Sequence, residues 1–234
     1  DEAEGAYAEA QAHYRHSLAI CEQLNDRLGR AILCSSLANL ALHQKALPEA
    51  QAWAHQALSL FEEIGEPWGR AFASVRLGEL ALTLAEYDEA QNWFQTSLAL
   101  CQEAGDQRGA AVSLCSLGLA ALGLARREEA GGVFGQGPAL GLGARLQFWP
   151  LVLKALTGSA RLLVLLEQHA AALALAAFVK QHPAADGDTR ETAVSLTMTL
   201  ANQLTAEAAS AAQEQARQWE MTAVLAAVNA YLAN

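Results

Sequence analysis

The chain repeats itself with a fixed period of 40 residues, and this feature restricts its fold more than any other. Glutamate-alanine pairs, leucines, glycines and other small residues return at the same position in successive copies. The recurring positions are Glu9-Ala10, Glu49-Ala50, Glu89-Ala90 and Glu129-Ala130, with Ala170 as a fifth alanine, then Leu18, Leu58 and Leu98, Gly29, Gly69 and Gly109, Leu37, Leu77 and Leu117, and Ala38, Gly78, Gly118 and Gly158. Such self-similarity predicts a stacked repeat protein in which each unit buries its apolar face on its neighbours.

Each repeat is predicted to be a pair of helices. The chain has 53% hydrophobic but only 6% aromatic residues and 5 prolines, which is typical of an all-α protein. Asp26 can cap a helix that runs to about Gln44 with apolar residues at three- and four-residue steps. Pro48 stands where the first turn of the next helix tolerates its missing N–H group. Small residues at Ala38, Gly78, Gly118 and Gly158 are expected to face Ala50, Ala90 and Ala130 in the partner helix.

The repeat boundaries divide the chain into three parts. Residues 1–25 are predicted to be the second helix of a truncated repeat, so we expect the chain to be a fragment of a longer protein. Residues 26–65, 66–105, 106–145 and 146–185 form the repeats, of which the last two are degenerate. Residues 186–234 are predicted to form capping helices that cover the last apolar face.

A glycine-rich stretch interrupts the pattern at residues 131–143. It places glycines and Pro138 where earlier copies have strong helix formers. Each glycine in a helix interior costs about 1 kcal/mol relative to alanine, so we expect a broken, short or mobile helix. Neutral drift within the repeat and a hinge both explain this stretch.

The repeat positions resemble the tetratricopeptide repeat. A leucine precedes a small residue in the first helix, and an alanine follows twelve positions later. An aromatic residue stands four positions further on (Phe94 and Phe134, whereas Ala54 departs from the pattern), and then a small residue (Ala57, Ser97 and Gly137). The segment Gly105-Asp106-Gln107-Arg108-Gly109 and the tail after His182-Pro183 are similar to the C-terminal sensor region of bacterial STAND ATPases and LuxR-type regulators. This resemblance implies a right-handed superhelical solenoid of antiparallel helix pairs with a concave groove.

Catalytic and metal-binding motifs do not appear in the sequence. It lacks a phosphate-binding Gly-x-x-x-x-Gly-Lys loop, a Gly-x-Ser-x-Gly elbow and a His-Glu-x-x-His pair, so we expect neither an enzyme nor a cofactor. His13 and His16 share a helix face, but two histidines are more often solvated than ligands. The 15 basic and 25 acidic residues give a net charge of −10, which disfavours nucleic acid.

The most apolar segment and the cysteines give expectations about location. Lys154, Arg161 and Glu167 interrupt residues 151–179, which therefore favour buried helices over a membrane span. Cys21 and Cys101 occupy the same position two repeats apart, too far for a disulfide. Free thiols favour a cytoplasmic location.

The resemblance places the binding residues on the first helix of each pair, which lines the concave groove. These residues are Ile32, Ser35, Asn39 and Leu42, then Phe72, Val75, Arg76, Glu79 and Leu82, then Val112, Cys115, Leu119 and Leu122, and in the fourth unit Val152, Ala155, Ser159 and Leu162. The stripe is largely apolar, which suits an amphipathic helix or a hydrophobic peptide. The alternative is that the chain itself covers the stripe as part of its core.

These observations favour a sensor and interaction module of a larger signalling protein. We expect it to bind a protein or peptide trigger in the groove and to act on nucleotide-binding and effector domains upstream in the same chain. Two alternatives remain at this point: a domain that senses a sugar or another metabolite, and an assembly scaffold that self-associates.

Overall fold

A computed structural model describes residues 2–134 and 138–232. Within these residues all regular structure is α-helical and no strand is present, which confirms the predicted all-α class. The helices are α1 (Glu2–Gln23), α2 (Arg27–His43), α3 (Leu47–Ile64), α4 (Pro67–Thr83), α5 (Tyr87–Ala104), α6 (Gln107–Gly123), α7 (Arg127–Phe134), α8 (Pro138–Arg145), α9 (Trp149–Leu165), α10 (His169–Gln181), α11 (Gly187–Gln203), α12 (Ala206–Gln218) and α13 (Met221–Leu232).

Left-handed residues end the helices at regular intervals. Positive φ angles occur at Asn25, Lys45, Gly65, Ala85, Gly105 and Ala125, which lie 20 residues apart. At each of these turns the next amide returns to a carbonyl five residues earlier, as in the bond from Glu66 N to Phe61 O at 3.0 Å. This satisfies a carbonyl that the helix end would otherwise leave free. The 40-residue repeat is thus visible in the backbone as two such turns per unit.

Aspartates cap the first helix of two repeats, α2 and α6. Asp26 Oδ1 accepts a hydrogen bond from Gly29 N at 2.9 Å, and Asp106 Oδ1 accepts one from Gly109 N at 3.0 Å. Glu66 takes the equivalent place before α4 without a side-chain cap bond, and Pro67 follows it in the first turn.

The chain divides into two compact units, residues 1–113 and 114–234. In the first unit α1 packs on α2, α2 on α3, α3 on α4 and α4 on α5, and α2 also contacts α4. Short turns make consecutive helices antiparallel. Phe61 lies at the centre of a core formed by α1 to α4 and is fully buried.

In the second unit α9 and α10 form the centre. Helices α7 and α8 pack on α9, whereas α11 and α12 pack on α10 and α13 packs on α9. The terminal helices α11 to α13 therefore cover the last helix pair. Residues 135–137 lie outside the described residues. The stretch 131–143, for which a hinge was one of two explanations, includes these three residues, and the small residue Gly137 is one of them.

The repeat register slips by two residues in the second unit. After Ala125 the next left-handed residues are Gln147 and Glu167, at intervals of 22 and 20 residues. Ala170 is exposed, whereas Ala172 is fully buried, so Ala172 and not Ala170 is the fifth alanine. Two extra residues rotate a helix by about 200°. For the same reason the positions predicted for the fourth groove unit are core: Val152, Ala155, Ser159 and Leu162 are buried.

The small residues of the first helices make room for aromatic rings. A Cβ atom on Gly78 would lie 2.4 Å from Phe94 Cε1, and one on Gly158 would lie 2.4 Å from Phe134 Cζ. The expectation that alanines face these positions is therefore wrong for Gly78, Gly118 and Gly158, where phenylalanine rings lie nearest. In the first repeat Ala38 packs near Ala54, where the smaller side chain needs no glycine opposite it.

Candidate functional site

Helices α2 and α4 share one side whose side chains are exposed or half-buried, and Tyr7 of α1 reaches the end of this side, where its ring centre lies 6.4 Å from that of His43. Ala31, Leu37, Ala38 and Ala41 of α2 are buried, and the residues on the opposite side of the helix are exposed or half-buried. We call this surface the open face. It consists of Leu28, Ile32, Ser36, Asn39 and His43 on α2 and of Trp68, Phe72, Arg76, Glu79 and Thr83 on α4.

Four large apolar side chains form one end of the open face. Leu28, Ile32, Trp68 and Phe72 are 39%, 41%, 44% and 43% exposed. Leu28 and Trp68 are equivalent positions one repeat apart, as are Ile32 and Phe72. The Trp68 ring lies 5.5 Å from the buried Phe61 ring, which holds it in place. We call these four residues the apolar patch. Ile32 and Phe72 were among the predicted groove residues, whereas Leu28 and Trp68 were not.

A polar cluster adjoins the apolar patch. Arg76 Nη1 donates hydrogen bonds to Asn39 Oδ1 at 2.7 Å and to Glu79 Oε2. The Arg76 and Glu79 side chains are only 15% and 21% exposed. The Arg76 guanidinium also lies 4.9 Å from the centre of the Phe72 ring, within cation–π range. Arg76 thus joins α2 to α4 and fixes Phe72, so that this part of the face is ordered before any ligand binds.

The remaining predicted groove residues differ in accessibility. Ser35 and Val75 are buried, while Leu42, Leu82 and Val112 are half-buried. In the second unit Cys115 and Leu122 are buried and Leu119 is half-buried. Ser36 lines the open face of the first unit where Ser35 was expected. Of the neighbouring predicted residues Val75 and Arg76, only Arg76 lies on this face.

The second unit contains a cleft that was not predicted from the sequence. Its volume is about 660 Å³, and it lies between the starts of α10 and α12 and the end of α13. Polar and small residues line it: Glu167, Gln168, His169, Ala170, Ala171, Leu204, Ala208, Ala211, Ala212, Gln215 and Tyr231. Gln168 Nε2 donates to Tyr231 O, and Gln215 Nε2 lies 3.3 Å from Tyr231 Oη. Helices far apart in sequence meet here, so no local pattern marks the cleft.

The four cysteines, all of which lie in the described residues, form no disulfide, and three of them are buried. Burial raises the pKa of the Cys34 thiol to about 11, and Glu22 raises it while Arg30 lowers it. Burial and the Asp106 carboxylate raise the pKa of Cys101. A thiol with a raised pKa is a poor nucleophile.

Metal-binding clusters and bilayer spans are both absent from the described residues. No group of three His, Cys, Asp or Glu side chains within 2–134 and 138–232 is arranged to hold a metal ion. None of the helices in these same ranges combines the length and the apolar character of a bilayer span.

Comparison with solved structures shows the fold. The chain is similar to BtubC (BKLC) from P. vanneervenii, with a TM-score of 0.67 and 17% sequence identity over 91% of this chain and 90% of that chain. The fold is therefore an all-helical, repeat-like one. No protein-family model matches the chain. No curated protein matches it either. At this level of identity the likeness concerns the fold alone.

Proposed function

We propose that this chain is a non-enzymatic interaction module that binds a protein or peptide segment on the open face of α2 and α4. The observation that carries the proposal is the apolar patch beside the ordered Arg76 cluster. Tryptophan, phenylalanine and arginine are the residues that most often dominate binding energy at interfaces.

The energetics favour a ligand on the apolar patch. Each large apolar side chain that a partner buries completely contributes about 1.5–3 kcal/mol. The fold already covers more than half of each side chain in the apolar patch. A partner that buries the rest therefore gains only part of this binding free energy from each of them. The Arg76 bonds hold Phe72 in place, so little side-chain entropy is lost on binding.

The spacing of the patch fits a helical ligand. Leu28 and Ile32, like Trp68 and Phe72, stand four residues apart on adjacent helices. A helix that presents apolar residues at steps of three and four places them against such rows.

Selection from a random peptide library tests the proposal. The full chain should enrich peptides with apolar residues at helical spacing, and Ile32→Glu with Phe72→Glu should reduce their affinity at least about tenfold, a loss of 1.4 kcal/mol. Met198→Glu is the matched control because Met198 is 64% exposed on α11. Circular dichroism should show unchanged helicity. Failure to enrich any peptide, or equal binding by the Ile32 and Phe72 variant, would contradict the proposal.

We also propose a wider context for the module. The repeats are of the tetratricopeptide type, and the chain is the C-terminal sensor region of a cytoplasmic STAND or LuxR-like signalling protein. Its occupancy would then act on nucleotide-binding and effector domains upstream. The coding sequence before Asp1 tests this proposal, since a domain without a nucleotide site there would contradict it.

The cleft of the second unit supports one alternative function, the sensing of a small molecule. Its volume of about 660 Å³ is in the range of known ligand sites. A panel of sugars and metabolites should then raise the unfolding temperature. Ala211→Trp, which fills the cleft, should abolish this shift, whereas Ser210→Trp beside it should not. Absence of any shift across the panel would remove this alternative.

A further inference from the structure

We propose that the segment bound on the open face is an amphipathic helix with a basic end. Its apolar side lies on the apolar patch, and its lysines or arginines lie over an acidic rim at one edge of the first unit. This inference rests on the proposed function and adds the chemistry of the partner.

The acidic rim consists of three turns on the same edge. Because consecutive helices are antiparallel, the turns α1–α2, α3–α4 and α5–α6 lie on one edge of the stack. Residues 22–28, 62–68 and 102–108 hold seven acidic and two basic residues. The acidic residues are Glu22, Asp26, Glu62, Glu63, Glu66, Glu103 and Asp106, and the basic ones are Arg27 and Arg108. All of them are exposed except Glu66, which is half-buried.

The apolar patch begins where the rim ends. Leu28 follows Asp26 by two residues, and Trp68 follows Glu66 by two residues. One ion pair offsets part of the rim charge, since Arg27 Nη1 lies 3.9 Å from Glu63 Oε2 with both side chains more than half exposed. Exposed pairs of this kind are weak. Arg30 and Arg70 follow Leu28 and Trp68 by two residues and are half-buried. With them the seven acidic residues still outnumber four basic ones, so the rim keeps a negative excess next to the apolar side chains.

The open face adds no opposing charge to the rim. Arg76 forms an ion pair with Glu79 on the same helix, and among the open-face residues of α2 and α4 no other Asp, Glu, Lys or Arg is present. An acidic segment would meet like charge at the rim, which costs affinity and selects against it. The net charge of −10 also attracts a basic segment over a longer range.

The opposite edge predicts the orientation of the bound helix. The turns α2–α3 (residues 42–48) and α4–α5 (residues 82–88) contain three Lys, Arg, Asp or Glu residues, which are Lys45, Glu86 and Asp88. The negative excess is therefore concentrated at the edge beside Leu28 and Trp68. The basic end of the ligand is expected to lie there.

Titration calorimetry with synthetic peptides tests the inference. The probes are three helical peptides of about 16 residues, long enough to span the open face, with the same apolar positions and with lysine, glutamate or glutamine at one end. The full chain should bind the lysine peptide about tenfold more tightly than the glutamate peptide at low salt, and the difference should shrink at high salt.

Rim variants separate this inference from the proposed function. Glu62→Gln with Glu63→Gln should weaken the lysine peptide about five- to tenfold and leave the glutamine peptide unchanged. Glu86→Gln with Asp88→Asn on the opposite edge is the matched control and should change neither. If all three peptides bind equally and Phe72→Glu abolishes binding, the basic end is wrong and the proposed function stands. Tighter binding of the glutamate peptide also overturns the inference, and binding by none of the peptides overturns both.

Discussion

At the scale of single residues, the four thiols differ in how far the fold shields them. Cys34, Cys101 and Cys115 are buried, whereas Cys21 is partly exposed. At about pH 8, the thiolate form of an accessible cysteine attacks a disulfide reagent, forms a mixed disulfide and releases the other sulfur of the reagent as a thiolate. We expect Cys21 to react first in the native protein, and the other three to react only after unfolding. Mass spectrometry of the labelled peptides checks this order, and rapid labelling of Cys34 would contradict the burial seen here.

His182 links the stability of the second unit to pH. Its ring lies 5.6 Å from the Phe178 ring, its Nδ1 accepts a hydrogen bond from Ala184 N at 3.2 Å, and burial lowers its pKa. The unfolded pKa is about 6.5. A lowered folded pKa stabilises the protein above the unfolded value, and this contribution is lost as pH falls through the folded value.

The pH dependence of thermal unfolding measures this effect. Between about pH 7.5 and pH 5 the midpoint temperature should fall more steeply for the wild type than for His182→Asn. Asparagine offers an acceptor in place of Nδ1 but does not titrate. Equal slopes for the two proteins would show that His182 protonation does not affect folding.

At the scale of helix pairs, glycine and phenylalanine form a complementary set. Phe94 is fully buried, so its ring cannot move away from a Cβ atom at Gly78. We expect Gly78→Ala to destabilise the protein by about 1–3 kcal/mol through overpacking. Phe94→Ala alone should cost about 3–5 kcal/mol because it leaves a cavity. The double variant reproduces the Ala38 and Ala54 pair of the first repeat, so its cost should be smaller than the sum.

Denaturant unfolding of the two single variants and the double variant checks this coupling. Gly132→Ala is the control, since nothing lies within 4 Å of a Cβ atom there. It should stabilise helix α7 by about 0.5–1 kcal/mol. If the double variant loses as much unfolding free energy as the two single variants together, the side chains at positions 78 and 94 do not compete for the same volume.

At the scale of the whole molecule, net charge governs self-association. The charge is −10 at pH 7 and the isoelectric point is about 5.0. Copies of the chain therefore repel each other at neutral pH, and this repulsion disappears near pH 5. We expect light scattering to give a constant molar mass over a concentration series at about pH 7.5 and a rising mass near the isoelectric point. A mass that grows with concentration at neutral pH would favour the scaffold alternative.

The sequence by itself determined the helices, their turns and the repeat. Asp26 and Pro48 lie at the starts of helices α2 and α3, and Gly65 and Gly105 lie at the ends of α3 and α5. These signals can be recognised in the sequence because caps and left-handed turns depend only on residues close together in the chain. Phe72, Arg76 and Asn39 were among the residues that the family resemblance predicted to line the groove, and the structure places them together on the open face.

Only the tertiary structure decided which side chains are accessible. The packing of α2 beside α4 brings Asn39 to Arg76 and exposes Trp68, and both depend on residues about one repeat apart in the chain. Two extra residues before Gln147 bury the fourth set of predicted groove positions, although the residue types there continue the 40-residue repeat. A periodic sequence specifies each helix pair through local bonds. The rotation of each helix against its neighbours is set by side-chain packing across the stack, and that rotation decides whether a residue faces solvent or the core.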